Sequence, residues 1–223
     1  MTVDFSELRI KMVDGQLRTT DVTSHALLSA MLRVPREVFV PDARKALAYI
    51  DDDILISEKS HSGARYLMEP APFAKLVQLA EVMPEDKVLI VGAGCGYSAA
   101  VLSHMAGSVV ALEGDATLAE KAESALAALG CQNVSVVKGD LPAGHAQGAP
   151  YDVVVVEGSV DSVPEALLNQ LADKGRLVVV EGHGNAAAAR IYTKAEGVAT
   201  GRRAFNAAVK PLPGFERLPE FEF

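Results

Sequence analysis

The chain has 223 residues, of which 49% are hydrophobic and 22% charged, a composition typical of a globular protein with a sizeable core. Its formal net charge of −8 argues against broad contact with nucleic-acid phosphates, and no apolar run is long enough for a membrane span. Cys95 and Cys131 lack the spacing of a disulfide framework or a metal site. With no secretory leader pattern at the N-terminus, we expect a cytoplasmic protein whose partners include neither nucleic acid nor membrane.

The first 70 residues are predicted to form a helical cap. Amphipathic patterns cover Ser6 to Leu17 and Thr23 to Val34, with Thr23 as the expected N-cap of the second helix. No stretch rich in Gly, Ser or Pro separates this cap from the rest, so we expect a single domain over 1–223. Its parts are the cap, 1–70, an α/β core, 71–185, and closing strands with an aromatic tail, 186–223.

The core alternates helical and strand patterns, as a parallel sheet covered on both faces does. Strands are predicted at 87–91, 108–112, 133–138, 151–156 and 175–181, and helices at 72–82, 97–106, 115–129 and 163–172. Two further strands, 189–195 and 203–210, are expected to close the sheet as an antiparallel pair. This order predicts a mixed sheet that is parallel except at one edge.

A glycine turn follows the first core strand. The strand runs into Gly92, Gly94 and Gly96, and a helix begins directly afterwards. Glycines let the backbone turn sharply and approach a ligand, and the first amides of the helix face that ligand. A dinucleotide site of the form Gly-x-Gly-x-x-Gly would place its third glycine at Tyr97, so a pyrophosphate is disfavoured. A plain strand-to-helix turn is the alternative.

Acidic residues follow the next two strands. Glu113 lies about twenty residues beyond the turn, where a carboxylate holds ribose hydroxyls, and Asp140 could lie near an adenine amino group. Three strand ends meeting in one crevice suit S-adenosylmethionine better than NAD. The predicted cofactor-binding residues are Gly92, Ala93, Gly94, Gly96, Glu113, Gly114, Asp140 and Leu141.

Several motifs follow one another along the chain in an order that resembles one known family. They are Val34–Pro41 (VPREVFVP), Ala48–Asp51 (AYID), the glycine turn, Gly139–Asp140 and Ala149–Asp152 (APYD). Over nearly the whole chain they resemble the protein-L-isoaspartate O-methyltransferase family. That resemblance implies a class I S-adenosylmethionine-dependent methyltransferase fold, Rossmann-like, with S-adenosylmethionine as donor and S-adenosylhomocysteine as product. It also implies methyl esterification of an isoaspartyl carboxylate on a protein or peptide substrate, as in protein repair.

The substrate strip, residues 65–70, departs from the family pattern. Where the family reads Thr-Ile-Ser-Gln-Pro, this chain reads Tyr66–Pro70 (YLMEP). Met68 has no hydroxyl to hold a carboxylate, and Glu69 adds a charge that would repel one. Lys59, His61 and Arg65 could neutralise Glu69 or bind an anionic acceptor, and Glu69 could serve as base for an alcohol. No catalytic residue is assigned, and the substrate-strip candidates are Arg65, Tyr66, Met68 and Glu69.

Two alternatives follow from this departure. The chain could methylate a different acceptor, or it could be a catalytically silent S-adenosylmethionine-binding or scaffold protein. Glu157 would place a second added carboxylate near the cleft, whereas Asp51 to Asp53 look like a solvated turn and no metal site is expected. The tail from Pro211 to Phe223 is predicted to wrap the core in extended form, and a homodimer could form through it or through the helical arm.

Overall fold

The computed structural model describes residues 3–60 and 63–216, except the side chains of 58–60. Helix α1, Phe5–Met12, begins where the Asp4 carboxylate accepts hydrogen bonds from the amides of Ser6 and Glu7, and it continues as a π-helical turn over Val13–Leu17. Helix α2, His25–Arg33, is capped by Ser24 and not by Thr23 as predicted. The Thr23 amide instead donates to Gln78 Oε1, which fixes the start of α2 against a core helix.

An antiparallel hairpin lies within the segment predicted to be a helical cap. Strands β1, Ile54–Ser60, and β2, Gly63–Leu67, pair with Ile54 opposite Leu67. Ile54 and Ile56 are buried while Leu55 between them is less so, which is the alternation of a strand. The apolar run is short, polar and charged residues follow it, and charged Arg65 takes an inward position of β2, so the sequence does not reveal the hairpin. The prediction of a helical cap was wrong for this part of 1–70.

The core contains four helices and seven strands. The helices are α3, Pro70–Ala80, α4, Tyr97–Ser103, α5, Ala116–Ala128, and α6, Glu165–Asn169. The strands are β3, Lys87–Val91, β4, Ser108–Glu113, β5, Val134–Lys138, β6, Tyr151–Val160, β7, Leu171–Glu181, β8, Ala188–Ala195, and β9, Val198–Asn206. No helix of the described residues is long and apolar enough to cross a bilayer.

The seven strands form one sheet in the order β5-β4-β3-β6-β7-β8-β9. The first five strands in this order are parallel to one another. Strand β8 runs antiparallel to β7, and β9 runs antiparallel to β8. The predicted, mostly parallel sheet with an antiparallel edge is therefore confirmed. Because the chain goes out from β3 to β5 and returns to β6 on the other side of β3, a crevice opens at the carboxyl ends of these strands.

Several predicted boundaries differ from the observed ones, and two of the differences have a clear local cause. The helix expected over 163–172 is only α6, because extended Pro164 caps it and Leu171 already pairs with Tyr151 in the sheet. The last strand begins at Val198 instead of 203, because Glu196 and Gly197 both have positive φ and close a two-residue hairpin after β8.

One apolar cluster joins the helical arm to the core. Met12, Leu27 and Phe39 from the arm are buried in the same cluster as Phe73 of α3 and Val88 of β3. Gln78 of α3 adds polar contacts, since its Oε1 accepts from the Thr23 amide at 2.7 Å and its Nε2 donates to the Asp21 carbonyl at 3.0 Å. The arm is thus packed directly onto the sheet face beside the crevice.

Candidate cofactor cleft and acceptor side

The glycine turn shapes the carboxyl end of β3. Gly92, Gly94 and Gly96 have φ values of +85°, +55° and +94°, which side chains with a Cβ rarely adopt. The amides of Gly92 and Ala93 donate to the Leu112 carbonyl at 2.9 and 3.1 Å, so the turn is tied to β4. The sharp backbone turn predicted from the glycines is therefore present at the end of β3.

Glu113 ends β4 beside this turn and is fully buried. Its Oε2 accepts from the Gly94 amide at 2.6 Å, and its Oε1 accepts from the Asp115 amide at 2.9 Å. The remaining capacity of both oxygens is used by the guanidinium of Arg65, whose Nη2 donates to Oε2 at 3.0 Å and whose Nη1 donates to Oε1. The carboxylate expected to hold ribose is thus bound by the chain's own residues.

Arg65 binds Glu113 in the cleft, and the described contacts do not include the neutralisation of Glu69 that its sequence position allowed. Arg65 belongs to β2, is 2% exposed, and also donates from Nη2 to the Gly92 carbonyl at 3.0 Å. Glu113 is 48 positions further along the chain, and the hairpin brings Arg65 into contact with it. Local sequence spacing could not predict this contact. The side chains of Lys59 and His61 fall outside the described part of the structure.

Two apolar side chains lie against the glycines. A methyl group built on Gly92 would lie 2.7 Å from Leu212 Cδ1, and one on Gly94 would lie 2.9 Å from Ile56 Cδ1. Leu212 belongs to what we call the strap, residues 209–215, which follows the last strand. It is 2% exposed, so the space directly above the turn is packed like a protein core.

The adenine side of the predicted site is more open. Gly139 follows β5 and its amide donates to the Glu113 carbonyl at 3.1 Å, which places exposed Asp140 beside the end of β4. Leu141 is buried, with its Cγ 3.5 Å from where a Cβ on Gly114 would lie. The structure thus brings the predicted residues of three strand ends to one edge of the sheet.

In the conformation described, the chain's own side chains occupy groups that S-adenosylmethionine would use. The backbone cradle suits it, but Arg65 takes both oxygens of Glu113, and Leu212 and Ile56 fill the space over the glycines. A cavity of about 730 Å³ adjoins Ile56 and Cys95, but the rest of its lining comes from residues 38–42 and from α5. Burial raises the pKa of the Cys95 thiol to about 11, so this cysteine is protonated at neutral pH.

A second, small cavity lies on the acceptor side. It is lined by Asp53, Tyr66, Met68, Glu157, Gly158, Val209 and Lys210. Three of the four substrate-strip candidates lie near it, since Tyr66 and Met68 line it and the Glu69 amide donates to Asp53 at 2.9 Å. Burial, and then the carboxylates of Asp51 to Asp53, raise the pKa of Glu69. Glu69 therefore faces other acids, and no basic side chain neutralises it among the contacts described.

Among the carboxyl groups at this small cavity, that of Glu157 has the largest pKa shift. Burial raises its pKa to about 7, while the Ser98 hydroxyl and the guanidinium groups of Arg65 and Arg36 oppose the rise. Burial also raises the pKa of Asp53. The signal that singled out Glu157 was its position directly after the predicted strand 151–156, although the structure continues β6 through it to Val160. Asp53 was interpreted only as part of a turn.

Comparison with known proteins identifies the family. The model of the protein-L-isoaspartate(D-aspartate) O-methyltransferase family matches residues 9–212. The chain belongs to this family. A protein-L-isoaspartate O-methyltransferase of Methylorubrum extorquens (strain PA1) is 42% identical over 179 residues, 80% of this chain and 76% of that protein. One from Methanoregula boonei is 38% identical over 177 residues, 79% of each chain.

Solved structures of the isoaspartate methyltransferase family share the fold. One protein-L-isoaspartate O-methyltransferase superposes with a TM-score of 0.81 at 27% identity and covers 92% of this chain and 66% of its own. A second structure, described as a putative family member from Plasmodium falciparum in complex with S-adenosyl-L-homocysteine, gives a TM-score of 0.75 at 19% identity, with 95% and 99% covered. The predicted class I methyltransferase fold, the family and its S-adenosylmethionine-dependent O-methyltransferase class are confirmed.

Proposed function

We propose that this chain transfers a methyl group from S-adenosylmethionine to a carboxylate of a protein or peptide, the activity that the family's name states. The observation that carries the proposal is the position of Glu113, which ends β4 and accepts from the amide of Gly94 within the glycine turn. This is where a ribose-binding carboxylate lies in nucleotide-binding α/β folds. The cofactor would bind in an open conformation of the cleft.

The residues assigned to the cofactor are part of the proposal. In the open conformation the floor of the cleft would be formed by Gly92, Ala93, Gly94 and Gly96. Glu113 with Gly114 would bind the ribose, and Asp140 with Leu141 would border the adenine. Their shared location at the ends of β3, β4 and β5 supports this assignment.

The acceptor side favours a second candidate. Asp53 and Glu157 line the same small cavity, and Met68 supplies no hydroxyl there. Two like charges about 4 Å apart repel by about 4 kcal/mol at an effective dielectric constant of 20, so a carboxylate would bind poorly beside ionised Glu157. An alcohol or amine would instead find Glu157 a suitable base, since its pKa is about 7. Methylation of such an acceptor is the alternative function.

Radiolabelled methyl transfer tests both candidates. The full chain is incubated with labelled S-adenosylmethionine and, separately, an isoaspartyl peptide, its aspartyl counterpart, and a soluble lysate. The Glu113→Ala variant serves as the binding-deficient control. Label on the isoaspartyl peptide alone supports protein repair, and alkali-stable label only in the lysate supports another acceptor. A lack of transfer to any acceptor would contradict methyltransferase activity.

The remaining expectations stay proposals. One apolar cluster reaching from Met12 to Val209 supports a single domain over 1–223. The two free cysteines are consistent with a reducing compartment, and we keep the cytoplasm as the proposed location. A homodimer through the tail or the arm is testable by light scattering. Phe221 and Phe223, which suggested it, lie outside the described residues.

A further inference from the structure

We propose that Arg65 and the strap are a built-in competitor for the nucleoside site, so that this chain binds its cofactor only after displacing its own residues. The inference rests on the proposed function, because it concerns the same cleft. It goes further in assigning to named side chains the role of closing that cleft.

Arg65 competes through the hydrogen bonds of Glu113. Its guanidinium donates to both carboxylate oxygens and to the Gly92 carbonyl, within a pair whose side chains are 3% and 0% exposed. Ribose hydroxyls would need the same two oxygens as acceptors. Since Gly94 and Asp115 amides already bind them as well, Glu113 cannot hold Arg65 and a ribose together.

The strap, through Leu212, and the hairpin, through Ile56 of β1, compete for space. Leu212 lies against the position of a Gly92 Cβ, and Ile56 lies against that of Gly94. Both side chains are nearly inaccessible, at 2% and 4% exposure. A ligand crossing the glycine turn would therefore have to expel two packed apolar groups.

The strap is fastened to the sheet. The Leu212 amide donates to the Ser159 carbonyl at 2.9 Å, and the Ser159 amide donates to the Lys210 carbonyl at 3.0 Å, so Pro211 pairs with Ser159 of β6 in an isolated parallel bridge. On its other side Pro213 lies 3.5 Å from where a Cβ on Gly63 of the hairpin would lie. The hairpin and the strap thus close the cleft from two sides and contact each other.

Calorimetric binding of S-adenosylhomocysteine to the full chain tests the inference. Three variants are compared with the unaltered protein. Arg65→Met removes the guanidinium and keeps its stem, and Leu212→Ala empties the space above Gly92 without touching Glu113. Arg176→Met is the control, because it removes a different, partly buried ion pair, with Asp86 at 2.6 Å, near the amino end of β3.

We expect Arg65→Met and Leu212→Ala each to bind S-adenosylhomocysteine at least tenfold more tightly than the unaltered chain, and Arg176→Met to bind equally. Leu212→Ala keeps the test decisive if Arg65→Met does not fold. Low-micromolar binding by the unaltered chain that neither variant improves would overturn the competitor while leaving the proposed function intact. If no protein in the series binds, including both opened variants, the proposed function fails and the competitor fails with it.

Discussion

The guanidinium carbon of Arg36 lies 4.8 Å from the centroid of the Tyr97 ring, and both side chains are buried where the arm meets the glycine turn. Arg36 Nε donates to the Ala48 carbonyl at 2.8 Å and its Nη2 donates to the Met68 carbonyl at 2.6 Å. One side chain therefore connects the arm, the substrate strip and the first helix after the turn.

Arg36→Met should lower the free energy of unfolding by about 2–5 kcal/mol, because two buried carbonyls lose their donor. Arg36→Lys should recover less than half, since an ammonium cannot reach both carbonyls in the planar fork of a guanidinium. Urea denaturation measures both. Arg33→Met, at an exposed position of α2, is the control and should change stability little. Equal stability of Arg36→Met and the control would contradict the prediction.

Arg65 and Glu113 should be strongly coupled in a double-mutant cycle. Either Arg65→Met or Glu113→Gln alone leaves a buried group without its partner, which costs about 3–5 kcal/mol for a charged residue. The double variant should lose less than the sum, with a coupling energy of about 2–3 kcal/mol from urea denaturation. Additive losses would show that the two side chains do not interact in solution.

Glu157 should make stability depend on pH. Because its folded-state pKa of about 7 lies above the ordinary value of 4.5, the unfolded chain releases this proton first, and stability falls as pH rises through that range. Glu157→Gln should match the unaltered chain near pH 4.5 and exceed its stability by about 1–3 kcal/mol at pH 8. Denaturation series at both values measure the difference. Exposed Glu123→Gln is the control, and a parallel pH trend in both variants would count against the raised pKa of Glu157.

Gly158→Ala should displace the strap. Gly158 has a φ of +149°, and an added Cβ would lie 2.7 Å from Leu212 Cβ and 3.0 Å from its amide nitrogen. We expect a loss of about 1–3 kcal/mol together with faster amide hydrogen exchange at Leu212. Gly15→Ala is the matched change, since nothing lies within 4 Å of its Cβ position, and it should be neutral or slightly stabilising. Unchanged amide exchange at Leu212 in Gly158→Ala would contradict the predicted displacement of the strap.

The sequence predicted the sheet better than it predicted the cleft. Strand β3 and Glu113 were located because buried parallel strands are continuous aliphatic runs and because ligand-binding residues follow their carboxyl ends. The contact of Arg65 with Glu113 was missed because it depends on the hairpin. The sequence did not reveal that hairpin, since polar residues interrupt its apolar alternation. Leu212 gave no local signal at all, since proline-rich extended segments have no periodicity from which a contact can be inferred.

The strap touches both sides of the crevice. Val209 and Lys210 line the small cavity that contains Glu157, while Leu212, two residues later, covers Gly92. Any ligand that shifts this segment from either side changes the free energy of binding on the other. By thermodynamic reciprocity, an acceptor that moves Lys210 raises nucleoside affinity by the same factor by which the nucleoside raises acceptor affinity. The two substrates of this enzyme would then bind cooperatively.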